Sequence, residues 1–246
     1  MPEMSRPNTP FVTALAVLFL GSPLIAGCGF QSKIMEQLSH LGGDKIARYT
    51  KAIEINPKDA DAYFNRGDAK YELEDYEGAI VDYSKAIEIN PHVEGAYYFR
   101  SFAKIKLGDY EGAIDDCSKA IEINPHVADY YYNRGLTKDK LGDYEGAIVD
   151  FSKAIEMSPD VAVGYYSRGA AKYELEDYEG AIVDYNKAIE IDPHYSSAYN
   201  NRGFANMELS DRRNACIDLK KAASLGNRVS AQWLRGADAD WCRNMS

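Results

Sequence analysis

Four prolines, Pro91, Pro125, Pro159 and Pro193, close stretches that are near copies of one another, and each lies 34 residues from the next. The stretch from Ala60 to Pro91, ADAYFNRGDAKYELEDYEGAIVDYSKAIEINP, sets the pattern. A period of this length marks an array of helix-turn-helix units, each too small to bury its own apolar face and therefore stacked on its neighbours. Full copies are expected at about 60–93, 94–127, 128–161, 162–195 and 196–227, the last being the weakest and lacking the closing proline. The first and fourth share the fifteen-residue run AKYELEDYEGAIVDY, at Ala69–Tyr83 and Ala171–Tyr185. Local duplication explains that identity better than separate design.

Within a copy, Tyr76, Ala79, Ile80, Tyr83, Ala86 and Ile87 recur at helical steps and form one apolar stripe. Asp75 is placed to cap that second helix, and Pro91 follows Asn90 where the helix must stop. Gly67 and Ala79 leave room for paired helices to approach closely. Gly78, in the first turn of the second helix, lowers helix propensity by about 1 kcal/mol relative to alanine, and nothing in the sequence compensates for it. Residues 28–57 fit a degenerate capping half-repeat, in which Ile46–Pro57 matches a second helix. Residues 228–246 fit a closing helix and tail, with Val229–Arg235 as the helix.

Charge recurs with the same period. The seventh position of every copy is arginine: Arg66, Arg100, Arg134, Arg168 and Arg202. Position 23 is aspartate throughout, at Asp82, Asp116, Asp150, Asp184 and Asp218. Lysine fills position 11 in four copies, Lys70, Lys104, Lys138 and Lys172, and Asn206 in the fifth. Because an acid accompanies every arginine, these residues are expected to form a ladder of partly buried ion pairs rather than a basic stripe for an anionic ligand.

These features together resemble the tetratricopeptide repeat (TPR) family: an aromatic at position 4 (Tyr63), a small residue at 8 (Gly67), Ala79 at 20, Tyr83 at 24, Ala86 at 27 and Pro91 at 32. The resemblance covers roughly Ala60–Asn227. It implies an all-α, right-handed superhelical solenoid of antiparallel helix pairs, whose first helices line a concave groove. Position 7 departs from the family's usual leucine. Carried over position by position, the groove is expected to hold Phe64, Tyr98, Phe102, Tyr132, Leu136, Tyr166, Tyr173 and Phe204, with Asp61, Asp68, Asp129 and Asp139 adding acidity. Ser118 and Ser152 are expected on the convex side. The lysine clamp that some family members use for a peptide's terminal carboxylate is absent, although Asn65, Asn133 and Asn201 keep its amide at position 6.

The formal charge is -10 and the pI about 5.0, which works against attraction to a phosphate backbone, so nucleic acid is not expected as a partner. His92, His126 and His194 follow the repeat-ending prolines and are expected in solvated turns, not as metal ligands. No catalytic, metal-binding or phosphate-binding motif stands out, so no enzyme activity, cofactor or small-molecule substrate is expected. Four scattered cysteines suit neither a disulfide framework nor a zinc site. Export would permit a Cys216–Cys242 bond, but free thiols are the expected state. Cys117, in an aromatic position, is expected to be buried.

Residues 1–27 look like a lipoprotein signal peptide. Pro7–Ser32 carries no charge, and its apolar run is broken by Gly21 and Pro23, which suits a signal core better than a membrane span. Leu24-Ile25-Ala26-Gly27-Cys28 resembles a bacterial lipobox, which implies lipidation of Cys28 and an anchor of several acyl chains. Gly29, rather than aspartate, after the cysteine favours the outer over the inner membrane. The resemblances imply a lipid-anchored, periplasm-facing scaffold that binds a protein or peptide. A self-associating envelope protein and a non-catalytic subunit of an envelope enzyme complex remain as alternatives, and the partner itself is not legible.

Overall fold

A computed structural model describes residues 43–236 and 239–245. Cys28, the apolar run before it and residues 30–42 of the capping half-repeat lie outside the described residues. Those described form thirteen helices and no strand. Helix α1 covers 43–55. Five helix pairs follow: α2 (Ala60–Glu72) with α3 (Tyr76–Ile89), α4 (Glu94–Leu107) with α5 (Tyr110–Ile123), and α6 (Ala128–Lys140) with α7 (Tyr144–Met157). Then come α8 (Ala162–Glu174) with α9 (Tyr178–Ile191), and α10 (Ser196–Glu208) with α11 (Arg212–Ser224). Short helices α12 (Arg228–Trp233) and α13 (Asp240–Arg243) close the array. Each helix packs antiparallel on the next, making a solenoid. First helices also touch across repeats, α2 with α4, α6 with α8 and α8 with α10, so they form the inner side of the stack.

The local chemistry explains the regularity. Asp75, Asp109, Asp143 and Asp177 each cap a second helix by accepting from the backbone N–H three residues on, at 2.9–3.0 Å. That donor is a glycine each time, and the carboxylate folds over it so closely that a Cβ on Gly78 would lie 2.1 Å from Asp75 Oδ2. The propensity lost at Gly78 is thus the condition for the cap. At the other end Asn90 Oδ1 accepts from His92 N–H at 3.1 Å, a turn that recurs at His126 and His194 and leaves all three imidazoles exposed.

Packing within a pair matches small against large. Gly67 faces the buried Tyr83 ring, where an added Cβ would come within 2.8 Å, and Gly135 faces Phe151 in the same way. Where Cys117 replaces the aromatic, Ser101 replaces the glycine, and Cys117 Sγ lies 3.3 Å from Ser101 Oγ. Cys117 is fully buried, and desolvation pushes its thiol up to about 11.

The C-terminal cysteines depart from the expectation of free thiols. Cys216 on α11 and Cys242 on α13 form a disulfide, with Cα atoms 5.3 Å apart. The tail comes back over α11 because Trp241 packs on Trp233 (centroids 6.0 Å apart) and Arg212 sits over the Trp241 ring. Trp233 in turn meets Phe204, so the last repeat's outer surface is covered.

Candidate functional site

The inner face is held in place by the charged ladder. In every repeat the arginine at position 7 donates through Nε and Nη2 to both carboxylate oxygens of the aspartate at position 23, at 2.6–2.9 Å. Its remaining Nη1 reaches back to an oxygen on the preceding second helix: Thr50, Ser84, Ser118, Ser152 and Asn186 in turn. The guanidinium also lies over the tyrosine at position 4, 5.4–5.8 Å from the centroid. Lys70, Lys104, Lys138 and Lys172 add a 2.8 Å contact to the same aspartates, and Asn206 Nδ2 donates to Asp218. The aspartates are 4 % exposed or less. Hydrogen bonding to Asp82, Asp150 and Asp184 holds Arg66, Arg134 and Arg168 above the usual arginine range. Each arginine therefore joins three helices, and a charge this buried is tolerable only with all its partners present.

That arrangement corrects one expectation. Ser118 and Ser152 are not idle convex residues but the oxygens that receive Arg134 and Arg168. The open positions of the second helices are instead Val81, Val149, Val183 and Ile217, each more than half exposed.

On the inner face, seven of the eight expected groove residues are half-buried: Phe64, Tyr98, Phe102, Leu136, Tyr166, Tyr173 and Phe204. The structure brings the first of them together as a patch, with Phe64 against Phe99, and Tyr98 against Phe102 and Tyr130. Tyr132 differs. It is only 9 % exposed, packs on Phe151 and shares a 3.2 Å hydrogen bond with Ser167 of the next repeat, so the ring is part of the core and presents little surface to the groove. Phe99, which packs against Phe64 and Tyr98 and was not expected in the groove, is more open than any of the eight.

Polar groups here are largely committed within the protein. Asn133 donates to the Tyr98 hydroxyl at 2.6 Å and Asn201 to the Tyr166 hydroxyl at 3.2 Å, so these amides tie neighbouring first helices together. Carboxylates contribute the field. Desolvation raises Asp129 and Asp139 above the ordinary carboxylate range and takes Asp68 to about 6. Between repeats four and five the face opens into a recess of about 160 Å³, lined by Ala170, Tyr173, Glu174, Tyr185, Asn201 and Phe204.

Two family models match the chain: TPR repeat over residues 46–73, 103–142 and 169–210, and tetratricopeptide repeat over 60–93 and 128–161. Together they span more than half of it. The chain belongs to the tetratricopeptide repeat family. No curated protein matches it by sequence. Among solved structures it is similar to YrrB, a TPR protein with an unusual peptide-binding site, at 24% identity and a TM-score of 0.67, over 76% of this chain and 97% of that one. It is also similar to MamA, at 25% identity and a TM-score of 0.64, over 67% and 96% of the two chains. The C-terminal part of a TPR repeat-containing protein from Cytophaga hutchinsonii matches at 19% identity and a TM-score of 0.67, over 82% of each chain. These likenesses establish the TPR fold, and the residues of the inner face are this chain's own.

Proposed function

We propose that this TPR protein is a non-enzymatic adaptor that holds a protein segment along its inner face, tethered by lipid on Cys28 to the periplasmic side of a bacterial envelope. One observation carries the binding role: the inner face presents a run of half-buried rings beside carboxylates, whereas the buried charges are consumed in holding the helices together. Apolar rings left partly open next to charge are the usual composition of a protein interface. YrrB, which shares the fold, is described as having a peptide-binding site. The anchor rests on the apolar run and on Leu24–Cys28.

The test for binding is a crosslinked pull-down from the native envelope, followed by titration of the recovered partner. Phe102→Ala should weaken binding about tenfold or more, as truncated aromatic hot spots commonly do. Val149→Ser, on the outer face, should leave it unchanged. Equal affinity for Phe102→Ala and wild type, with helicity intact, would remove the inner face as the binding surface. The anchor is checked separately by labelled-palmitate incorporation, which Cys28→Ala should abolish.

A further inference from the structure

The recess between repeats four and five exists because one side chain is small. In repeat one the buried Tyr83 hydroxyl donates to Asp68, at position 9, over 2.7 Å. Repeat four carries the same tyrosine at the end of the same fifteen-residue run, but its position 9 is Ala170. The Tyr185 hydroxyl is consequently buried without a hydrogen-bond partner of normal geometry among the described residues. Tyr185 is itself fully buried, and Ala170, standing where its acceptor would be, lines the same recess. Asn201 lies near that hydroxyl, but its amide nitrogen is directed to Tyr166. Repeats two, three and five fill position 9 with Phe102, Leu136 and Phe204.

The rest of the recess states what would suit it. Tyr173 and Phe204 supply aromatic walls. Glu174 is exposed at the rim, and Glu208, which accepts weakly from the Tyr173 hydroxyl at 3.5 Å, adds a second carboxylate. Neither glutamate has an ion pair among the described residues. The nearby cations are committed elsewhere, Lys172 to Asp184 and Arg202 to Asp218. An entering carboxylate would be repelled by both glutamates, and an apolar chain would leave both without a counter-ion. A cationic N–H donor can pair with both glutamates, and the ring faces attract it.

We propose that this recess receives a basic side chain, lysine or arginine, of a peptide lying on the inner face. The proposal rests on the peptide-binding reading above and adds to it a chemical identity for one subsite. The ammonium or guanidinium group is held between Glu174 and Glu208, with its aliphatic stem against Tyr173 and Phe204.

The experiment uses the mature full-length protein with its disulfide intact and short synthetic peptide libraries, one central position fixed in turn as Lys, Arg, Met or Glu. Wild type should bind the Lys- and Arg-fixed libraries about tenfold more tightly than the Met-fixed one, and the Glu-fixed library least. Ala170→Leu fills the recess with the residue that repeat three carries there, and should erase that preference while leaving binding of the Met-fixed library unchanged. Glu174→Gln, at an exposed site, should reduce the preference several-fold with helicity unchanged. If libraries bind and Phe102→Ala weakens them, but wild type shows no basic preference or Ala170→Leu retains it, the recess is not the subsite and the inner-face reading survives. If no library binds, or Phe102→Ala changes nothing, the inner-face reading fails and the subsite with it.

Discussion

Repeats one and four contain the same fifteen residues, yet the tyrosine that ends each run has a different fate. The Tyr83 hydroxyl donates a hydrogen bond to a carboxylate, while the Tyr185 hydroxyl has no such acceptor among the described residues, and its ring borders an opening. The difference comes from a single place on the preceding helix, Asp68 against Ala170, just before the identical run begins. Much else is the same: each aspartate at position 23 binds one arginine and one lysine, and the turn residues Glu74 and Glu176 adopt φ of 63° and 62°. The framework of a repeat thus lies in residues that recur, and its individuality in the inner-face positions that the framework does not use.

The largest expected effect tests what the two repeats share. Asp82→Ala and Asp184→Ala should each cost about 3–5 kcal/mol in urea unfolding, because each leaves a partly buried arginine and lysine uncompensated. Double-mutant cycles with Arg66→Ala and Arg168→Ala should show strong coupling in both repeats. Losses below about 1 kcal/mol, the level of exposed pairs, would mean that the ladder is not what makes the repeats alike.

A smaller effect tests what separates them, and its sign should reverse. Tyr83→Phe takes a donor from a partly buried carboxylate and should destabilise by about 1–2 kcal/mol, whereas Tyr185→Phe removes a hydroxyl with no acceptor among the described residues and should be neutral or stabilise by about 1 kcal/mol. Destabilisation of similar size in both would show that Tyr185 has a partner and would erase the distinction.

The smallest effect is one of pH and belongs to repeat one alone. Burial raises the Asp68 carboxyl from 3.8 to about 6 against the opposing pull of the Tyr83 hydrogen bond, so folding favours its protonated form. The stability this contributes is fully present below about pH 4 and is lost as pH rises through about 6. Compared with Asp68→Asn, which cannot ionise, wild type should become relatively less stable across that window. Because the carboxylate is partly solvated, the change should be on the order of 1 kcal/mol. Thermal melts of both proteins from about pH 4 to pH 7 would measure it, and parallel curves would place Asp68 in an ordinary aqueous setting.

Sequence periodicity was enough for the helix pairs, the caps and the pairing of Arg134 with Asp150, since each depends on spacing within one repeat. What spacing could not convey was contact between repeats. Tyr132 occupies a groove position by count, but Ser167 of the next repeat and Phe151 behind it draw the ring inward. Ser118 looked like a surface serine because its partner, Arg134, comes from the following repeat. The role of Gly78 depended on how closely the Asp75 carboxylate folds over it. The Cys216–Cys242 bond depended on a tail whose return over α11 has no counterpart in the repeat pattern. The acceptor that Tyr185 lacks did have a trace in the sequence, the change from Asp68 to Ala170, which gains meaning once the tyrosine's direction is known.

A stack of like units has no inherent reason to stop growing, and two copies could in principle continue one another end to end. The arginine ladder contains the stop. Every earlier second helix offers an oxygen to the next arginine, but the equivalent place on α11 is Lys220, whose ammonium donates to the Met245 carbonyl at 3.0 Å. An arginine arriving from another molecule would meet a positive charge there, beneath a tail stapled down by Cys242. At its C-terminal end the solenoid thus presents a lysine and a covering tail where every earlier repeat presents an oxygen.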